Sequence, residues 1–548
     1  MSLDGFLTAL SLIVAIFAIV SPAARMKLKL HWKLQVLAGL FSFVLVLYFE
    51  FFGVFGQQCW QIMSTYCGWF LFPADQSFTP ENAAFFVVIC WLVFAYFIFQ
   101  YSRISSLSLP AFRRLADRLI FEKRYSEFWD LVQPNLNLVE IAANRHTPFF
   151  KFRSFLFPEK RSVFEALGAL NETENGHETR PNIVQRVWCL VRDKIQIFDS
   201  WVVKGDKTET AAKSILNILF RSKELMGYIV SFRPYASIAI LKIDSHQRFE
   251  FSDEILRKMM SDSGSVLFEE LKTIQTLDQN EGYSIGGGSE FLTFYFSDMS
   301  VAKKFGVWKP VGDHLLRRLR DDVETEYSLS LRRRPDFFEG EKWSDPIYVG
   351  LQFFDLMVRR AAFQDINWHM WLYYTPLLVD RLERHFDTSG PGINEEDEFP
   401  ILAAELIYEC IDRLGSWIEM VKVLPDASIH RNIEPQFYGD NGNIPVSAAR
   451  ALGQSFRTIA MSERVGDKFA GYIFECILRD INGLGRESTE GLLRSYLIVS
   501  ILDGGGRDLD YQYGSRLARL VRGVDQYLIY DLDDFIRAAN ERYPQMFD

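Results

Sequence analysis

The chain is poor in the residues from which metal and catalytic sites are built. Its 548 residues hold eight histidines and six cysteines. No two histidines stand at i and i+4, and no two cysteines stand at zinc-ligand spacing, so no local metal motif is present. A Gly-x-Ser-x-Gly elbow is also missing. The two tight glycine clusters, Gly286–Gly288 and Gly504–Gly506, lack the Lys-Ser/Thr of a phosphate loop and the spacing of a dinucleotide fingerprint. Both read as turns. Asp503, Asp508 and Asp510 crowd the second cluster without following a calcium-loop pattern. No cofactor or metal is expected. An excess of acids, 70 Asp and Glu against 60 Lys and Arg for a formal net charge of −10, argues against general nucleic-acid binding, which needs net positive charge to displace phosphate counterions.

Lys and Arg are missing altogether from one early stretch, Gly56–Asn82. It lies between two of three apolar segments, Phe6–Val20, Leu34–Phe55 and Ala83–Phe99. The stretch between the first two carries Arg25, Lys27, Lys29 and Lys33. Basic loops stay cytoplasmic, so the pattern predicts three transmembrane helices with the N-terminus outside and everything after Tyr101 inside. The first segment resembles a signal h-region in length, but its charges follow the apolar run instead of preceding it, and a retained anchor is expected. Trp32, Tyr48, Trp60, Trp69, Tyr96 and Tyr101 stand where an interfacial belt would place them. The expected location is a plasma membrane such as the bacterial inner membrane.

Two details depend on that topology. Cys59 and Cys67 would share the exterior loop, where they either form a disulfide or remain two free thiols. Glu50, between Phe49 and Phe51, would lie in the outer half of the second segment. Either the helix ends before it and its carboxylate meets head groups, or a homo-oligomer rings a cation pore with it. Cys90, Cys189, Cys410 and Cys476 read as small buried hydrophobes.

Beyond residue 101 the periodicity is overwhelmingly helical. Pro110 opens a helix with Phe112, Leu115, Ala116 and Leu119 on one face, and a turn at Lys123–Arg124 leads to Tyr125, Phe128, Trp129 and Val132. The pair resembles a tetratricopeptide hairpin in shape. The family's small-residue positions are not filled in step, and no second copy follows at a period of about 34 residues. Further helices are predicted over Asn182–Val203, Thr208–Phe232 after a break at Gly205, Asp253–Met260, Val266–Leu277, Asp313–Leu329, Ser344–Phe363, His369–Phe386, Pro400–Leu424, Ser447–Met461, Asp467–Ile481, Thr489–Leu502, Tyr513–Leu528 and Leu532–Arg542. Ser237–Ile243 and Phe291–Phe296 suit short strands. The fold class is therefore mainly α: three membrane helices, then a helical-hairpin or solenoid-like cytosolic body. The domains expected are 1–101, 102–285 and 286–548.

One cationic group stands out. Arg317, Arg318 and Arg320 lie on a predicted helix, and Arg332, Arg333 and Arg334 follow it. They suit an anion site for a phosphate-bearing ligand, a nucleic-acid end or lipid head groups. The competing reading is a solvated face paired with Asp321, Asp322, Glu324 and Glu326. Three functions follow in order: a membrane-tethered, non-enzymatic interaction, scaffold or sensor module with a cytosolic protein partner; a pore-forming effector triggered through the body, as in antiviral defence; and an enzyme acting on a membrane-associated substrate.

Overall fold

The computed structural model describes residues 36–49, 80–101, 108–144, 196–277, 285, 287–320, 324–335, 342–367, 370–433, 442–506, 509–529 and 532–544. Every regular element among them is helical. The chain divides into two compact units, Met1–Leu225 and Met226–Asp548.

In the first unit, α1 (36–49) and α2 (Pro80–Tyr101) precede the hairpin of α3 (Leu109–Phe121) and α4 (Tyr125–Val132). α5 (Leu136–Asn144) and α6 (Gln196–Arg221) follow, with α6 lying against α3 and α5. The hairpin forms as its spacing predicts: Phe112, Ala116 and Leu119 meet a core that also holds Phe128, Trp129 and Val132, all essentially inaccessible. Lys123 takes the left-handed conformation at the turn (φ 58°).

The expectation of three transmembrane helices is corrected here. Among the described residues no helix is long and apolar enough to cross a membrane. The first apolar segment lies outside the described residues, and only 36–49 of the second is described as helix. Part of the apolar surface is used for internal packing: Val46, Ala84 and Val88 form a buried cluster, with Phe43, Phe49 and Val87 against it. The multi-pass topology, its sidedness and the inner-membrane location lose their basis with this finding. Glu50, Cys59 and Cys67 lie outside the described residues.

The second unit opens within α7 (Lys223–Phe232) and continues through α8 (Ala236–Leu241), α9 (Gln247–Met260), α10 (Val266–Leu277), α11 (Glu290–Phe296), α12 (Met299–Phe305), α13 (Trp308–Arg318) and α14 (Glu326–Ser330). Then come α15 (Pro346–Phe363), α16 (Tyr374–Arg384), α17 (Leu402–Glu419), α18 (Ile444–Ala460), α19 (Asp467–Gly483), α20 (Ser488–Leu502), α21 (Tyr511–Gly523), α22 (Gln526–Ile529) and α23 (Asp533–Arg542). Local chemistry sets many of the starts. Asp298, Thr325, Asp345, Asn443 and Asp510 each accept a backbone N–H of the first turn, and Pro346 and Pro445 occupy early helical positions where no donor is needed.

Several boundaries differ from the periodic reading. Ser237–Ile243 and Phe291–Phe296 are not strands but fall in α8 and α11, short helices buried on enough sides to appear uniformly apolar. α6 runs through Gly205 without a break, and the helix expected over Asp313–Leu329 is divided into α13 and α14. A buried carboxylate helps hold α11: Glu270 accepts the N–H groups of Phe291 and Leu292 at 3.1 and 2.9 Å.

Candidate functional site

A cavity of about 580 Å³ opens in the second unit where α9, α13, α14, α15 and α17 approach one another. Arg318 reaches it from the last turn of α13, Arg333 and Arg334 from the segment after α14, and Lys342 from the 3-10 turn before α15. Among the described residues, Asp345 is their only anionic counterpart in the lining. A chain of net charge −10 thus gathers four cationic side chains around one half-open cavity, Arg333 and Arg334 at its exposed edge.

The backbone explains how the arginines are held. Leu402 N–H donates to Arg333 O at 2.9 Å, and Ala403 N–H donates to Leu331 O at 3.0 Å, so the segment after α14 is tied to the start of α17. The Thr325–Ser328 capping box starts α14 and places Tyr327 one residue into it. Tyr327 Oη donates to Asp345 Oδ2 at 2.9 Å, while Asp345 Oδ1 accepts from Ile347 and Tyr348 N–H at 2.8 and 2.9 Å. Burial pushes the Asp345 carboxyl up, against the hydrogen bonds and the Arg318 charge that pull it down. Burial and the neighbouring Asp345 carboxylate hold the Tyr327 phenol well above its ordinary range. This pair forms a structural floor to the cavity.

The six predicted arginines separate in the structure. Arg318, Arg333 and Arg334 line the cavity; Arg317, Arg320 and Arg332 do not. Arg317 lies exposed, with Nε donating to Asp313 O at 3.0 Å, and Arg320 is also exposed. Arg332 is half-buried, and its Nη1 stands 3.9 Å from Glu324. Arg334 makes a loose ion pair with Asp397 at 3.4 Å. Arg318 and Arg333 have no ion pair and no side-chain hydrogen bond among the described residues.

Sequence reasoning missed Lys342, Tyr327 and the serines of the lining. A local signal existed for one neighbour only: Ser344-Asp345-Pro346 is a helix-start signature, which fixes Asp345 at the cavity edge. Ser261 Oγ donates to Arg257 O at 2.7 Å and Ser330 Oγ to Tyr327 O at 2.7 Å, so both are turned to the backbone. Ser263 and Ser344 complete the hydroxyl lining, and Met260, Phe268 and Leu402 supply an apolar wall.

The remaining candidates are structural. Asp503, Gly504 and Gly505 are buried, not a solvated loop: Gly504, Gly505 and Gly506 all take positive φ, and Asp503 pairs with Arg542 at 2.7 Å. Asp510 caps α21 and pairs with Arg457 at 2.8 Å. Among the described residues no group of His, Cys, Asp or Glu is arranged to hold a metal ion. Burial drives the Cys410 thiol up to about 12, which leaves it an inert core side chain. His430 is fully buried, with Nδ1 accepting from Ile444 N–H at 3.2 Å. Comparison with known proteins finds no matching family, no matching curated protein and no matching solved structure.

Proposed function

We propose that the second unit is a non-enzymatic sensor module that binds a small organic phosphate in this cavity. The observation that carries the reading is the pair of guanidinium groups, Arg318 and Arg333, which line the cavity with no ion pair among the described residues. Arginine is suited to such a role because its planar donors match phosphate oxygens and its charge does not titrate. The volume of about 580 Å³ lies within the roughly 300–1,000 Å³ of small-molecule sites. Met260, Phe268 and Leu402 give an uncharged part of the ligand somewhere to lie, which favours an organic phosphate over the bare ion. Asp345, the lining's carboxylate, is committed to a helix cap and to Tyr327, which suits holding a ligand more than transferring a proton. Of the interaction, scaffold and sensor roles, the cavity favours the sensor.

The test is calorimetry and thermal unfolding of the full chain with inorganic phosphate, pyrophosphate and nucleoside mono- and triphosphates. Bound ligand should raise the melting temperature by mass action. The variant Arg318→Gln/Arg333→Gln should lose on the order of ten- to hundredfold in affinity, the range expected for charge-assisted hydrogen bonds. Identical affinity in that variant, or no binding by any of these anions, would remove the proposal.

A further inference from the structure

Lys342 is the cavity cation with the closest and most buried acidic partner among the described residues. Its Nζ stands 2.6 Å from Glu405 Oε1 and 3.7 Å from Glu409 Oε1. Glu405 is 4% exposed, and its second oxygen, Oε2, is buried with no hydrogen-bond partner among the described residues. A carboxylate so placed has Lys342 as its main source of compensation, and losing that contact is costly for a buried charge. From Glu409 the ionic contacts continue inward. Glu409 Oε2 accepts from Arg413 Nη2 at 3.0 Å, and Arg413 Nη1 lies 3.5 Å from Asp355 Oδ2. Asp355 Oδ1 in turn accepts from Trp417 Nε1 at 2.6 Å and Arg359 Nε at 3.0 Å. The Tyr348 ring lies under both ends of the first link, 5.7 Å from Lys342 Nζ and 5.8 Å from the Arg413 guanidinium carbon. One line of charges therefore connects the cavity wall to the interior between α15 and α17.

We propose that Glu405 is a built-in competitor for the cavity's anion: it holds Lys342 while the cavity is empty, and a bound phosphate draws Lys342 away from it. Occupancy then changes the charge balance along Glu409, Arg413 and Asp355, which is how binding reaches the packing of α15 against α17. The inference rests on the phosphate-sensor reading and adds to it a cost of binding and a route for the signal. Burial pushes the Glu405 carboxyl up against the pull of Lys342, consistent with a carboxylate that depends on that contact. Burial pulls the Lys342 ammonium down, and the hydrogen bond and charges of Glu405 and Glu409 more than reverse this.

The experiment measures pyrophosphate affinity by calorimetry on the full chain, with thermal unfolding to confirm that each variant folds. Glu405→Gln should tighten binding by on the order of tenfold, because Lys342 is released to the ligand. Such a gain is not what simple damage to the fold produces. Lys342→Met should weaken binding, and in that background Glu405→Gln should give no further gain. If Glu405→Gln does not fold, Glu409→Gln, at the longer contact, should give a smaller gain in the same direction. Wild-type binding with an unchanged affinity in the Glu405→Gln variant, or a gain that survives loss of Lys342, overturns the competitor role and leaves the sensor reading intact. No binding by the wild type, of pyrophosphate or of any of the other phosphates named above, overturns both.

Discussion

Asp355 shows how much one residue can be asked to do in a helical core. It lies in the apolar run Phe353-Phe354-Asp355-Leu356-Met357 of α15, is 1% exposed, accepts from Trp417 and Arg359, and pairs with Arg413 at 3.5 Å. Asp355→Ala would leave the Trp417 indole N–H without its acceptor and take a buried carboxylate from Arg359 and Arg413, which keep Ser416 and Glu409 respectively. A loss of about 3–5 kcal/mol is expected, the usual consequence of breaking a buried ion pair from one side. Urea denaturation of wild type and variant measures it, and a change below about 1 kcal/mol would mean that water replaces the carboxylate. Arg359, at i+4 on the same helix, was legible in the sequence. Trp417 and Arg413 were not, because they come from α17, some sixty residues further on. The same limit applies to the candidate site. Three of six suggested arginines line the cavity: the way α13 presents its last turn selects Arg318, and the tie between the segment after α14 and the start of α17 holds the segment of Arg333 and Arg334.

At the scale of elements, the close approach of α18 and α20 depends on a missing side chain. A Cβ on Gly453 would lie 2.1 Å from Ser500 O, and 2.9 Å from Gly505 N. Both are backbone atoms, so neither can turn aside. Gly453→Ala is expected to cost about 1–3 kcal/mol by overpacking, although Ala is the better helix former. Gly471 in α19 is the control, since nothing lies within 4 Å of its added Cβ. Gly471→Ala should stabilise by up to about 1 kcal/mol. Thermal unfolding of the two variants should move the melting temperature in opposite directions; a shared direction would sink the packing argument. The sequence presents both as glycines within helical patterns. Only the neighbour distinguishes a required glycine from a tolerated one.

For the whole molecule, two buried groups set opposing pH dependences. Burial, then the charges of Arg318 and Arg317, lower the His314 pKa from 6.5 to about 4. The unfolded chain therefore binds more protons than the folded one in this interval, and stability is lost as pH falls from about 6.5 toward 4. His314→Gln should flatten that acid limb. Asp480 behaves in the opposite sense: burial, then Glu419 and Asp412, raise its pKa from 3.8 to about 7. Here the folded state holds the proton, so stability declines as pH rises from about 4 to 7 and stays lower above it. Asp480→Asn should make the protein more stable at pH 8 and leave it nearly unchanged at pH 4. Unfolding curves across pH 4–8 check both, and parallel profiles for wild type and variants would dismiss these assignments.

Periodicity and end signals in the sequence were enough to determine a helical chain and most of the helices after residue 240. These are local properties: a 3.6-residue apolar stripe and an Asp-Pro start act within one or two turns. Val266–Leu277 appears with the predicted ends, and α15, α18, α19, α20 and α23 begin or end within a few residues of them. Hydropathy alone could not determine what an apolar run packs against. The runs near residues 40 and 90 read as membrane spans, yet the described residues include no helix able to cross, and Val46, Ala84 and Val88 bury one another. The tertiary structure also decided the cavity. Arg318, Arg333 and Lys342 come from three separate segments, and that they line one cavity becomes visible only when the folded chain brings those segments together.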